Sequence, residues 1–378
     1  MKAYLLLAAL AMMFTFLSTP IVRRAALAAH ALTPVRARDV HTHPIPRLGG
    51  IAMTVGFAAT MVIGSRFPYF REFFTASQAW WILAGAVAIC LLGVFDDIWD
   101  LDWWAKLAGQ FLIAGVVAWN GVQIVSFPLF GVTVGSSRLS VAVTVLVIVT
   151  ATNAVNFVDG LDGLAAGTVA IGATGYFVYT YLLVRMTNAQ SYASLAAMIM
   201  IVLVGVCAGF LCFNFHPATI FMGDCGAMLL GYVVGVAFIL VTGQIDTTIF
   251  GHAQLLPAIL PFALPLATLV LPLLDMTMAV IRRLKAGHTP FHPDRQHLHH
   301  RLLAASHSHT KAVLLMYMLS AAVAIGAVSF LLLRWQDATL LTVILLVVAG
   351  FILLASLPGM RKKYLPWLDA LVRRHDQA

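Results

Sequence analysis

Charge is scarce in this chain. Of 378 residues only 10% are Asp, Glu, Lys or Arg, while 61% are hydrophobic. A soluble core of this length would not leave so many long apolar runs. The composition therefore excludes an ordinary water-soluble fold and indicates an all-α, polytopic integral membrane protein. Cysteine is scarce too. Cys90, Cys207, Cys212 and Cys225 lie in or beside apolar segments and form no CxxC pair. That excludes a disulfide framework or a zinc knuckle and leaves buried thiols. No linker, repeat or low-complexity tract interrupts the chain, so residues 1–378 read as one membrane domain. The formal net charge of +8 could signal nucleic acid. In so apolar a chain it signals cytoplasmic loops facing anionic lipid, and no nucleic-acid partner is expected.

What the chain has in abundance is spans. A helix needs roughly 20 apolar residues to cross a bilayer. Eleven runs qualify, near 3–20, 49–66, 80–96, 103–121, 139–157, 161–184, 193–213, 225–243, 257–281, 312–333 and 338–357. The first resembles a signal peptide, but Arg23-Arg24 follows the run instead of preceding it. That order favours an uncleaved span with its N-terminus outside. Of the 23 Lys and Arg residues, 17 fall in loops on one side of this topology. The positive-inside rule makes that side cytoplasmic and places the C-terminus there.

Polar clusters fall on the same side. Phe95-Asp-Asp-Ile-Trp-Asp-Leu-Asp102 closes the third span, and Asn153-Ala-Val-Asn-Phe-Val-Asp-Gly-Leu-Asp-Gly-Leu-Ala-Ala-Gly167 closes the fifth. Phe213-Asn-Phe-His-Pro-Ala-Thr-Ile-Phe-Met-Gly-Asp-Cys-Gly226 joins the seventh and eighth, and a His-rich loop over about 282–311 follows the ninth. Carboxylates near lipid are costly, so their gathering on one face implies a single site at the cytoplasmic membrane surface.

Each cluster has a plain alternative. Asp96 and Asp97 point about 100° apart on a helix, so they form either a solvated acidic end or an acid/base or metal pair. Asp100 and Asp102 read as interfacial surface. Asn153, Asn156, Asp159 and Asp162 recur at i,i+3 and are expected to form one stripe on a helical face, with Gly160, Gly163 and Gly167 allowing close approach. Asp224, between glycines at a span entry, is either an N-cap or a metal ligand. This oxygen-rich donor set suits Mg²⁺ or Mn²⁺ better than zinc, and Mg²⁺ commonly completes its shell with substrate phosphates. His297, His299, His300 and Arg301 could hold zinc, face lipid or bind an anion, and charge-assisted donors of this kind suit a pyrophosphate.

Together these motifs resemble the polyprenyl-phosphate N-acetylhexosamine-1-phosphate transferase family. The matches are Pro46-Arg-Leu-Gly-Gly50, Asp96-Asp97, Asn153 to Gly163, Phe221-Met-Gly-Asp-Cys-Gly226 and His297-Leu-His-His-Arg301, in family order over about residues 35–305. The His-Leu-His-His-Arg-Leu form looks like the undecaprenyl-phosphate GlcNAc-1-phosphate branch. The sister branch, which takes UDP-MurNAc-pentapeptide, more usually has three consecutive histidines there. The resemblance implies transfer of GlcNAc 1-phosphate from UDP-GlcNAc to undecaprenyl phosphate, with release of UMP and initiation of an envelope glycan. It implies a bacterial inner-membrane enzyme, and it is compatible with a homodimer. By motif position, Asn156 and Asp224 correspond to metal contacts, and Asp96 and Asp97 to the catalytic pair. Asp159, Asp162, Asn214 and Phe221 correspond to the nucleotide site. Lys106, His297, His299, His300 and Arg301 correspond to phosphate and sugar contacts. One departure stands out: the family's Arg/Lys pair before the first-loop histidine is replaced by Arg38-Asp39-Val40 ahead of His41. A transporter would place acids near the bilayer midplane and often shows repeats. Here Asp275 is the one acid expected well within a span, Asp96 and Asp162 standing at span ends.

Overall fold

The computed structural model describes residues 1–29, 45–124, 137–187, 192–242, 272–274, 276–285 and 308–356. Among these residues it is all-helical, with no strand. The helices are α1 (Lys2–Ala28), α2 (Gly49–Gly64), α3 (Pro68–Arg71), α4 (Gln78–Trp99), α5 (Trp103–Trp119) and α6 (Ser137–Val158). They continue with α7 (Leu164–Thr187), α8 (Tyr192–Asn214), α9 (Gly223–Thr242), α10 (His309–Leu332) and α11 (Trp335–Ser356). Residues 276–285 are also helical.

Eight of these helices are long and apolar enough to cross a membrane. A ninth span results if α2 and the segment ending at Phe74, bent by 99°, count as one. The described residues thus hold fewer spans than the eleven expected. α5 has only 17 residues. The expected span at 257–281 lies largely outside the described residues, as does Asp275.

Small residues decide the packing. α1 lies against α8 and α2. Gly205 and Gly209 of α8 face α1 so closely that a side chain at either would strike the Ala8 or Met12 carbonyl. This is the small-xxx-small pattern that lets membrane helices approach backbone to backbone where burial from water supplies no drive. Gly231 does the same for α9 against Ala151 of α6. α9 is the central helix, packed by α2, α4, α6 and α8, and its apolar side chains are almost all buried. α11, by contrast, packs mainly on α10 and shows Leu340, Val343, Ile344 and Val347 outward, as a lipid-facing helix does.

The two ends of the bundle differ. One carries an aromatic cluster in which Tyr4 meets Tyr69, Phe70, Phe177 and Tyr181 with ring centroids 5.1–5.9 Å apart. At the other end the C-termini of α4, α6 and α8 meet the N-termini of α5, α9 and α10. There Arg23 of α1 donates to the Thr219 carbonyl at 3.1 Å. Pro46 accepts from the Phe221 N–H at 2.9 Å, and the Gly49 and Gly50 N–H groups donate to the Phe221 and Met222 carbonyls at 2.9 and 2.8 Å. The Pro-Arg-Leu-Gly-Gly segment and the Phe-Met-Gly-Asp segment are therefore docked on each other.

Candidate active site

The site begins with a lysine. Lys106, in the first turn of α5, extends its ammonium between two carboxylates: Asp96 Oδ2 at 2.7 Å and Asp224 Oδ2 at 2.9 Å. Asp224 sits in the first turn of α9, and its other oxygen accepts from the Asn156 side-chain amide of α6. Asp96 Oδ1 also accepts from the Leu101 N–H at 3.0 Å. Four helices thus contribute one side chain each to a single charged network. Two anions and one cation here leave net negative charge, which suits a site that receives a further cation.

Asp97 faces a different partner. Its Oδ1 accepts from the Asp224 N–H at 2.9 Å, and its Oδ2 from the Cys225 N–H at 3.1 Å. The first N–H groups of any helix lack intrahelical partners. Those of α9 are satisfied by a carboxylate from α4. Asp224 is therefore not the N-cap that a one-dimensional reading allows; it is the second residue of α9, with its carboxylate directed at Lys106 and Asn156.

The expected stripe at 153–162 is broken. α6 ends at Val158, residues 159–163 form turns, and α7 starts at Leu164. Gly163 has φ +74°, a conformation glycine adopts without strain, and it ends any continuous helix there. The four polar residues consequently part company. Asn153 donates to Gln110 Oε1 at 2.6 Å and to the Val149 carbonyl, so it joins α6 to α5. Asn156 meets Asp224. Asp159 is partly buried in the turn. Burial, together with the nearby carboxylates of Asp224, Asp97 and Asp162, pushes its carboxyl up to about 8, partly relieved by Arg47.

Asp162 is buried, 3% exposed, and belongs to a second cluster. Its Oδ2 accepts from His216 Nδ1 at 2.8 Å and from the Ala218 N–H at 3.1 Å. Its own N–H donates to His309 Nε2 at 3.2 Å, which fixes the His309 proton on Nδ1. The two imidazoles stack with centroids 4.4 Å apart. Asp162, His216 and His309 have ligand atoms within 4.8 Å of one another, a set that could hold a metal ion. Asp162 is already bonded to both rings, through its carboxylate to His216 and through its N–H to His309, so hydrogen bonding accounts for the arrangement. Beside them Asn214 accepts from the Gly163 N–H at 3.1 Å and donates to the Ile220 carbonyl at 3.0 Å, fastening the turn to the loop before α9. Tyr317 of α10 donates to the Gly163 carbonyl. Phe221 lies at that loop's end, docked on Pro46 and Gly49.

Three residues here were not singled out by spacing. His216 lies within a quoted motif but carried no assigned role. His309 opens α10, at the end of the His-rich loop and outside its His297–Arg301 motif. Buried Arg283, in the 276–285 helix, places its guanidinium 5.4 Å from the Phe157 ring centroid, a cation–π contact one residue from Asn156. In sequence it was only one charge in a basic loop. His297, His299, His300 and Arg301, and Arg38, His41 and His43 of the first loop, lie outside the described residues.

The donor chemistry bears on a metal. Asp96 and Asp224 already converge on one cation, the Lys106 ammonium. Asp224 and the Asn156 side-chain carbonyl add hard oxygen donors of the kind Mg²⁺ prefers. The residues present fit such an ion.

Known proteins resemble this chain in sequence. A family model described as Glycosyl transferase family 4 matches residues 79–242. A protein of Mycolicibacterium smegmatis named decaprenyl-phosphate N-acetylglucosaminephosphotransferase is 40% identical over 329 residues, covering 84% of this chain and 80% of its own length. A Bacillus subtilis protein named probable undecaprenyl-phosphate N-acetylglucosaminyl 1-phosphate transferase is 32% identical over 312 residues, covering 82% and 80%. A phospho-N-acetylmuramoyl-pentapeptide-transferase of Desulforudis audaxviator is 30% identical over 258 residues, covering 61% and 73%. With that identity along most of its length, and with the family motifs that fall among the described residues gathered at one end of a membrane-helix bundle, the chain belongs to the polyprenyl-phosphate N-acetylhexosamine-1-phosphate transferases of glycosyl transferase family 4.

Proposed function

We propose that this enzyme transfers N-acetylglucosamine 1-phosphate from UDP-GlcNAc to a polyprenyl phosphate of decaprenyl or undecaprenyl length, releasing UMP, with Mg²⁺ as cofactor. The observation that carries this reading is the Lys106 network, in which Asp96 and Asp224 flank one ammonium and Asn156 holds Asp224 from a further helix, at the polar end of a membrane bundle. The relatives at 40% and 32% identity carry N-acetylglucosamine in their names, which favours that sugar over the pentapeptide-bearing one. The charge asymmetry of the loops supports an active site facing the cytoplasm, where nucleotide sugars are available, in a bacterial inner membrane.

The reacting partners are both anions, so charge is the main obstacle. An alkyl phosphate has a second pKa near ~6, by analogy with phosphoserine, and the acceptor needs little deprotonation at neutral pH. Lys106 would turn its ammonium from the carboxylates toward phosphate oxygens as substrate arrives, offsetting negative charge on the transferring group. Asp96, freed of part of that ion pair, is the carboxylate positioned to take a remaining proton. Asp224 and Asn156 would hold Mg²⁺, which supplies Lewis-acid neutralisation of the pyrophosphate. Asp159, partly exposed in the turn, would contact the nucleotide together with Asp162, Asn214 and Phe221. His297, His299, His300 and Arg301 would complete the phosphate and sugar contacts.

The test is direct. Purified protein is incubated with labelled UDP-GlcNAc, Mg²⁺ and either decaprenyl or undecaprenyl phosphate. Lipid-linked label that appears with UMP supports the reading, and the faster acceptor sets the carrier. Label appearing from UDP-MurNAc-pentapeptide and not from UDP-GlcNAc overturns the sugar assignment.

A further inference from the structure

The two adjacent aspartates at the end of α4 differ in what they touch, and the difference assigns them separate tasks. Asp96 meets the Lys106 ammonium and, through it, Asp224, while its other oxygen accepts from the Leu101 N–H just past its own helix. Asp97 meets backbone. Its two oxygens accept from the consecutive N–H groups of Asp224 and Cys225, residues far off in sequence. α4 and α9 are shaped for this contact. Gly93, one turn before Asp97, lies against the Cys225 backbone so closely that a side chain there would strike its Cα. Gly223, the first residue of α9, has φ +69°, and a Cβ on it would run into the Asp97 carboxylate. Left-handed backbone and the space taken by Asp97 both demand glycine at this point.

We propose that Asp97 is a positioning residue: its carboxylate caps α9 from α4 and so fixes where the Asp224 carboxylate stands, while the reaction's acid–base work stays with the Asp96–Lys106 side. The cap fits the physics of the helix end. Unpaired N–H groups and the positive end of the helix dipole both favour a carboxylate there, and this one arrives from another helix. It therefore couples the position of α4 to that of Asp224, whose other contacts are Lys106 from α5 and Asn156 from α6. The inference rests on the reading of Asp224 as the metal-bearing carboxylate.

The experiment compares Asp97→Asn, Gly223→Ala and Asp96→Asn in the full chain, purified in detergent. Three quantities are read: melting temperature in EDTA, Mn²⁺ affinity of the substrate-free protein by electron paramagnetic resonance, and the pH profile of transfer. Asp97→Asn and Gly223→Ala should behave alike. Each should melt roughly 2–4 °C lower, as the loss of a helix cap does in a domain of moderate size. Each should bind Mn²⁺ about tenfold more weakly and keep the wild-type pH profile once metal is saturating. Asp96→Asn should instead leave melting nearly unchanged and alter the pH profile. The proposal is overturned if Asp97→Asn melts and binds Mn²⁺ as wild type yet loses the acidic limb of the profile, since that is how a catalytic base behaves. A wild-type melting curve for Gly223→Ala would also overturn it. Should Asp97→Asn fail to accumulate folded protein, Gly223→Ala decides by the same criteria. Failure of the metal assignment is separable: Asp224→Asn would then keep wild-type Mn²⁺ affinity, while the melting shifts in EDTA still test the cap.

Discussion

Two polar corners sit side by side at one end of the bundle, and they are built on opposite principles. In the lysine corner, Asp96, Lys106, Asn156 and Asp224 hold one another through side chains, with one added bond from the Leu101 N–H to Asp96, and Asp224 keeps 35% of its side chain exposed. In the histidine corner, Asp162 accepts from a backbone N–H and an imidazole, its own N–H is paired, and its side chain is 2% exposed. Side-chain ion pairs can be exchanged for substrate contacts at little structural cost. Contacts to backbone cannot, because each broken one leaves a buried polar group unsatisfied. The first corner is therefore suited to chemistry and the second to holding the turn at 159–163 in place.

The largest effect that separates the corners is expected at Lys106. Lys106→Met leaves Asp96 and Asp224 facing each other with no cation and removes the donor aimed at phosphate. Transfer should fall by about 10²–10³, the scale seen on losing one preorganised donor, with little change in melting; a rate within threefold of wild type would remove the lysine from the mechanism. His309→Ala should show the reverse. It leaves the buried Asp162 N–H unpaired and removes one stacked ring, a loss of about 1–3 kcal/mol. The melting temperature should drop clearly, while turnover at saturating substrate stays near wild type. Turnover falling a hundredfold with unchanged melting would move His309 into the chemistry.

Much of the bundle was legible in the sequence, because apolar runs long enough to span lipid have few alternatives. The runs near 3–20, 80–96, 193–213, 225–243 and 312–333 each contain or overlap an observed helix closely. The site was legible as composition but not as wiring. Spacing brought Asn156, Asp159 and Asp162 into one stripe, yet α6 ends at Val158 and a turn separates Asn156 from Asp162. Spacing also could not tell Asp96 from Asp97, since the partners that set Asp97 apart, the Asp224 and Cys225 N–H groups, lie more than a hundred residues away. His309 had no local signal: only the fold carries the start of α10 to Asp162.

Two smaller effects refine the contrast. Asp159 lies in the turn that joins the corners, and its carboxyl is raised to about 8 in the metal-free protein. The folded state therefore binds this proton more tightly than the unfolded chain, whose carboxyl titrates near ~3.9. Stability is greatest below the unfolded value and declines as pH rises toward 8, by at most about 1.4 kcal/mol per pH unit, then levels off. In EDTA, wild-type melting should fall between pH 5 and pH 8 more steeply than that of Asp159→Asn. Parallel curves would show that Asp159 is not the titrating group. Asn153→Ala, which touches only α5 and its own helix, should cost about 0.5–1.5 kcal/mol and leave transfer unchanged.

The most direct measurement is the stoichiometry of the reaction in wild type and in Lys106→Met. UMP and lipid-linked N-acetylglucosamine are quantified together after purified protein meets UDP-GlcNAc, polyprenyl phosphate and Mg²⁺. Equimolar products from wild type, with both lost together in the variant, are expected if the lysine corner joins the two anionic substrates. UMP formed without lipid product, or both products undiminished in the variant, would contradict that assignment.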